Sequence, residues 1–378
     1  MTRRQGIDDL TTFAIPGQPA LSPDGGTVVY ILTTVDADAD ENVTSLWRAS
    51  AAGGGARRLT RGTADSRPAW SPDGTRIAFL RATDGPAQIW VLPADGGEPE
   101  QVTTLPLGAG APAWSPDGAR IAFTAPVDPR AGENDDDTAR ARRAAEPVAT
   151  ARIDYKADGT GVIGAVRSHL HVLELESGTV TQVTEGDWHA GQPVWSPGSD
   201  TLAFSAAMAG DADLRHRQPV YTVVVSGGPA RPRLVALADG IGMPAGWTPD
   251  GSALILAGTE HVPFGHLRLL RAPLGPAGEA AATGTGTGTG TGDTATRVTD
   301  LAGALDRNVM PGGPGYPGGV PALADDGDTV VFCVRDRGCS HVYRVAADGS
   351  GTPEPVIAGA GRVVSGLSVA AGKAAVAL

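Results

Sequence analysis

Trp70-Ser71-Pro72-Asp73-Gly74-Thr75-Arg76-Ile77-Ala78-Phe79 returns 44 residues later as Trp114-Ser115-Pro116-Asp117-Gly118-Ala119-Arg120-Ile121-Ala122-Phe123. Weaker copies are Leu21-Ser22-Pro23-Asp24-Gly25, Trp195-Ser196-Pro197-Gly198, Trp247-Thr248-Pro249-Asp250-Gly251 and Leu323-Ala324-Asp325-Asp326-Gly327. Leu367-Ser368-Val369-Ala370-Ala371-Gly372 reads as a degenerate seventh. The anchors at 21, 70, 114, 195, 247, 323 and 367 lie 49, 44, 81, 52, 76 and 44 residues apart. The short gaps fit a unit of about 40–50 residues, and the long ones fit the same unit carrying insertions.

Each motif is a turn with a mechanism. Pro presets φ, Asp suits the next position, and Gly takes the positive φ that closes the hairpin. Ile77 and Phe79 then alternate along the following strand, and the preceding Trp is large enough to wedge between neighbouring units. A second turn (Ala94-Asp95-Gly96-Gly97) follows, and a short last strand closes at a Leu-Thr or Val-Thr pair: Leu59-Thr60, Val102-Thr103, Val183-Thr184, Val298-Thr299. Four strands per unit and seven units predict an all-β, seven-bladed β-propeller with its last blade incomplete. Blades are expected to start near 18, 67, 111, 192, 243, 320 and 363, with insertions at 125–168 and 275–296. Within the first insertion, the acidic run Glu133 to Asp137 followed by Arg140, Arg142 and Arg143 reads as a solvated loop. Thr283 to Gly292 reads as a low-complexity linker, and Ile7 to Phe13 as a short helix.

Composition narrows the partners. A formal net charge of −12 disfavours a phosphate backbone, so no nucleic acid is expected. No apolar run has the length of a membrane span, and Asp8 and Asp9 stand where a signal peptide needs apolar residues. The expectation is therefore no membrane and a cytoplasmic location. Cys333 and Cys339 flank a predicted hairpin and read as two free thiols.

Candidate chemistry is sparse. The Gly-rich tract 284–292 lacks the Lys-Ser/Thr ending of a phosphate loop. Asp36, Asp38 and Asp40 open like a calcium loop but meet Glu41 and Trp47 where Gly and Glu are needed. His169 and His171 share one face of a strand, yet no Cys or Glu completes a metal site, so a partly exposed structural pair is expected. His189 lies before an innermost strand and is a candidate for substrate contact. No G-x-S-x-G occurs; Gly338-Cys339-Ser340-His341-Val342 fails at its fifth position. The site expectation is no catalytic residue, no metal and no cofactor.

Two further stretches carry a family resemblance. One runs from Pro19-Ala20-Leu21-Ser22-Pro23-Asp24-Gly25 through Leu46-Trp47, Arg58-Leu59-Thr60 and Ser66-Arg67-Pro68-Ala69-Trp70. The other is Ile153-Asp154-Tyr155-Lys156-Ala157-Asp158-Gly159 leading to His169-Leu170-His171-Val172-Leu173-Glu174-Leu175. Together they resemble the propeller half of an acylaminoacyl-peptidase or dipeptidyl-peptidase-like serine peptidase of the prolyl oligopeptidase family. The resemblance implies an α/β-hydrolase domain bearing Ser, Asp and His, with the propeller gating and docking short peptides. The sequence reaches Leu378 within the seventh unit, before any such residue. The expectation is a truncated or separately encoded propeller lacking its catalytic domain, working with a hydrolase domain in cis or trans. The alternative is a free-standing, TolB-like propeller that binds a protein or peptide.

Overall fold

The computed structural model describes residues 6–132, 136–150, 152–158, 161–261, 265–275, 279–280, 297–313 and 316–378. It is a seven-bladed β-propeller. Blade 2 shows the unit: antiparallel strands Asp65–Trp70, Arg76–Arg81, Gln88–Pro93 and Glu100–Gln101, from the innermost outward. The Thr-Gly tract Thr283 to Gly292 lies outside the described residues, as do 133–135 of the acidic run.

The alternating pattern in the second strand buries both of its faces. Ile77 and Phe79 pack with Val29, Ile31 and Leu46 of blade 1, while Ala78 and Leu80 pack with Ile121 and Phe123 of blade 3. Phe79, Phe123, Phe204 and Phe332 hold this place in four blades and are all 0% exposed. Each such ring contributes roughly 1.5–3 kcal/mol of transfer free energy.

The turns are built as their composition requires. Ser22, Ser71 and Ser115 each donate to the motif carboxylate, Asp24, Asp73 or Asp117, across 2.5 Å. Gly25, Gly74, Gly118, Gly251 and Gly327 take φ of 65–71°. In blade 4 the left-handed residue is Ser199 (φ 58°), one place after Gly198. The Trp residues do wedge between blades, and each also stitches them. The indole N–H of Trp70, Trp114, Trp195 and Trp247 donates to Ala20, Ala69, Ala113 and Val194 respectively, at 2.9–3.1 Å. Thr60, Thr103 and Thr184 each accept a backbone N–H of the third strand through their hydroxyl, from Leu46, Ile89 and Leu170. Val298-Thr299 departs from this pattern: Leu301 supplies the N–H that bonds Leu269, so blade 5 closes three residues later.

Three regions correct the sequence reading. Residues Asp137–Ala144 form helix α1 rather than a solvated loop, because the Asp136 carboxylate caps it by accepting the Ala139 N–H at 2.8 Å. The degenerate seventh motif is a tight two-residue turn at Ala371 (φ 48°) and Gly372 (φ 69°), joining Ser365–Ala370 to Lys373–Ala377. Finally, the inner strand of blade 6 is split. Asn308–Val309 and Ala322–Leu323 both pair with Thr329–Asp336, and between them a hairpin (Pro311–Gly313, Tyr316–Gly318) pairs with the inner edge of blade 7 through Gly318 and Ser365. Blade 7 thus gains two strands on its channel side, while Lys373–Ala377 has no outer partner among the described residues. Gly319 cannot be replaced there, since a Cβ would overlap Leu367.

The register fixes two unlike faces. The Ser-Pro-Asp-Gly turns line one. The other holds the far ends of the strands, where Val127 and Arg167 flank the 128–166 insertion and Ser205 and Val220 flank a second one. Ile15 and Ala377 also lie at this insertion face, opposite Thr33 and Ser365.

Candidate functional site

Side chains on the insertion face of blades 3 and 4 converge from segments far apart in the chain. Arg167, at the start of the third strand of blade 3, is buried and bonds Asp187 across 2.7 Å. Its other nitrogen donates to the carbonyls of Gly164 and Val166 at 2.9 and 2.8 Å, fixing the end of the insertion. Arg152 holds Asp154 at 2.7 Å and reaches Asp187 at 3.8 Å. From blade 4, Asp213 accepts the Ile153 N–H at 3.0 Å. Hydrogen bonding to Arg152 holds the Asp154 carboxyl below its ordinary range. A short sheet, Lys156–Ala157 with Gly161–Val162, carries exposed Tyr155 and Ile153 beside this shelf.

The shelf adjoins a cavity of about 510 Å³. Its walls are mainly apolar, with Leu105, Leu107, Val148 and Ile163 among them, and His171, Asp128, Arg130, Arg140 and Arg143 also line it. The His171 ring stacks on Phe123 with centroids 5.8 Å apart, and its Nδ1 donates to the His169 carbonyl at 3.1 Å. Burial pushes its pKa down, so a neutral ring faces the cavity near pH 7. A mainly apolar cavity with an imidazole and charged side chains in its walls suits an apolar side chain attached to a polar backbone.

The residues singled out from sequence fall into distinct roles. His169 and His171 are buried, at 3% and 6% exposure, and not the partly exposed pair expected. His169 Nε2 donates to the Gly186 carbonyl, as the Gln88 amide does to Leu105 in blade 2 and His341 does to Gly359 in blade 6. At this position a long polar side chain ties the inter-blade loop to its own blade. His189 is exposed, and its Nδ1 accepts the Ser168 N–H at 3.1 Å on the shelf. Its pKa is lowered, mainly by partial desolvation among the shelf residues.

Asp36 is a turn former whose carboxylate accepts the N–H groups of Asp38 and Ala39. No cluster of three metal-ligating side chains occurs among the described residues. Ser340 is buried and spends its hydroxyl on the Val364 carbonyl, joining blades 6 and 7. Cys333 lies opposite Val342 and Cys339 opposite Asp336; both are free, and burial pushes the Cys333 thiol up to about 12. No helix among the described residues is long and apolar enough to cross a membrane. Of the shelf, only Ile153-Asp154-Tyr155 and His189 were singled out from sequence, because its charges converge from three separate loops.

Comparison with known proteins places the fold. A family model for the TolB β-propeller domain matches residues 4–134. That stretch of the chain is similar to TolB β-propeller domains. Over 217 residues it is 30% identical to an uncharacterized peptidase, YuxL, of Bacillus subtilis, covering 57% of this chain and 33% of that protein. The acylaminoacyl peptidase of Pyrococcus horikoshii superposes with a TM-score of 0.66 at 16% identity, covering 95% of this chain and 48% of that one. The propeller domain of the trilobed protease of Pyrococcus furiosus superposes at 0.59 with 15% identity, covering 94% and 89%. The propeller is thus related to the propellers of peptidases, and it spans a third to a half of the whole peptidases it resembles.

Proposed function

We propose that this propeller docks short peptides on its insertion face and admits them to a serine hydrolase domain acting in cis or in trans. The observation that carries the reading is the union of shelf and cavity. Arg152, Asp154 and Asp187 offer donors and acceptors to a peptide backbone, beside an apolar cavity of about 510 Å³ that accepts one large side chain. The relationship to peptidase propellers supports a peptide as the occupant.

Calorimetric titration of an N-acetyl tripeptide with a central Phe tests this. Arg152→Ala removes shelf contacts, and Val148→Trp fills the cavity from its exposed rim. Each is expected to weaken binding by about tenfold, the worth of one hydrogen bond to a charged group. Wild-type affinity in both variants, or no binding at all, would count against peptide docking. A free-standing scaffold would instead bind a folded protein and ignore both substitutions.

A further inference from the structure

Three consecutive inner strands break register at one level. The shifts fall between Gly17 and Ala20 in blade 1, Ser66 and Ala69 in blade 2, and Ser365 and Ser368 in blade 7. At each, one residue takes left-handed backbone: Gln18 at φ 49°, Arg67 at φ 55° and Gly366 at φ 75°. Gly366 has no alternative, since a Cβ would strike the Pro19 ring. Gln18 and Arg67 do have alternatives, and a bulky side chain in this region is uncommon and strained. The arrangement is held in place: Gln18 Oε1 accepts the Arg67 N–H at 2.6 Å. Such bulges re-aim side chains, and here Gln18, Arg67 and Gly366 all line one cavity.

Facing them is the hairpin that blade 6 lends to blade 7. Between hairpin and bulges lies a cavity of about 450 Å³ whose walls include Pro16, Pro19, Pro68, Pro311, Tyr316 and Arg67. Tyr316 is 69% exposed. The Arg67 guanidinium has no ion pair or hydrogen bond among the described residues; the same holds for Arg61, Arg335 and Arg337, but of these Arg67 alone lines this cavity. In a chain with net charge −12, an unpaired cation on a strained bulge in a concave apolar site is out of keeping with its surroundings.

We propose that this cavity is the subsite for the free α-carboxylate of a short peptide. Arg67 presents a planar fork that matches a carboxylate with two parallel hydrogen bonds. The proline walls and Tyr316 take the adjoining apolar side chain. Gln18 is a positioning residue that holds the bulge. The inference rests on the peptide-docking reading and adds which end of the peptide is recognised here.

The test is titration of N-acetylglycyl-phenylalanine and its C-terminal amide into wild type, Arg67→Gln and Arg67→Gly. Wild type is expected to bind the acid about tenfold more tightly than the amide. In both variants the ratio falls to about one. Arg67→Gly also relieves the left-handed backbone, so its thermal midpoint at or above wild type separates lost recognition from lost folding. An acid-to-amide ratio unaffected by Arg67→Gln overturns the proposal. So does equal binding of an amidated peptide bearing Glu, which would assign the site to acidic side chains. If Arg152→Ala leaves affinity unchanged while Arg67→Gln abolishes the ratio, the carboxylate subsite stands and the insertion-face shelf does not. If neither ligand binds wild type, both fail.

Discussion

The indole Nε1 of Trp114 donates to the carbonyl of Ala69 across 3.1 Å, one residue before the Trp that does the same for blade 1. The bond is part of a relay. Arg76 of blade 2 lies 4.9 Å above the same Trp114 ring and also donates to the Gly118 carbonyl of the next turn. Blade 3 repeats it with Arg120 over Trp195. The motif therefore sets blade-to-blade packing as well as the turn.

Trp114→Phe keeps most of the ring area and removes the N–H, so the Ala69 carbonyl loses the bond that ties blade 3 to blade 2. Chemical denaturation should show a loss of about 1–3 kcal/mol. A cycle with Arg76→Met should give a coupling of about 0.5–1 kcal/mol. Additivity within error would show that ring and guanidinium do not act together.

Asp65 is 0% exposed, and Arg81 grips it through two bonds at 2.7 and 3.0 Å while Thr60 donates a third. Arg81→Met should cost about 3–5 kcal/mol by stranding a buried carboxylate. Arg344 and Glu354 form a bridge of similar length, but both side chains are more than half exposed. Arg344→Met should therefore cost under about 1 kcal/mol. Equal effects at the two sites would refute a burial-controlled ranking.

Acid should unlock the turns. Hydrogen bonds from Ser71 and from Thr248 lower Asp73 and Asp250 to about 2 from an ordinary 3.8. A carboxyl whose folded pKa is depressed contributes its full stability above the unfolded value and loses it as pH falls through the folded one. The loss thus falls between about pH 4 and 2. Thermal midpoints should drop over that window in wild type and less steeply in an Asp73→Asn, Asp250→Asn double variant. Parallel profiles would remove the turn carboxylates from the acid transition.

The repeat was legible because each turn is local: Ser71, Asp73 and Gly74 specify their own geometry within a few residues. The hairpin at 311–318 was not, since Pro-Gly-rich sequence reads as loop and its partner Ser365 is distant in the chain. Helix α1 had a signal in Asp136 ahead of Ala139 and Ala141, but the neighbouring charges masked it. The two histidines showed their shared face and not their burial, which depends on the loop at Gly186 and on Trp188 set edge-on to His169. Nor does sequence order bring Arg152, Asp187 and Asp213 together; only the closed ring of blades does.

Hydrogen–deuterium exchange with and without an N-acetyl tripeptide reports directly on which face is the docking face. Slowed exchange is expected in 152–158 and 161–168, in the loop 185–189 and in the blade 4 insertion 206–219, with the Ser-Pro-Asp-Gly turns unchanged. Protection of those turns instead, or no protection anywhere at saturating peptide, would contradict the account.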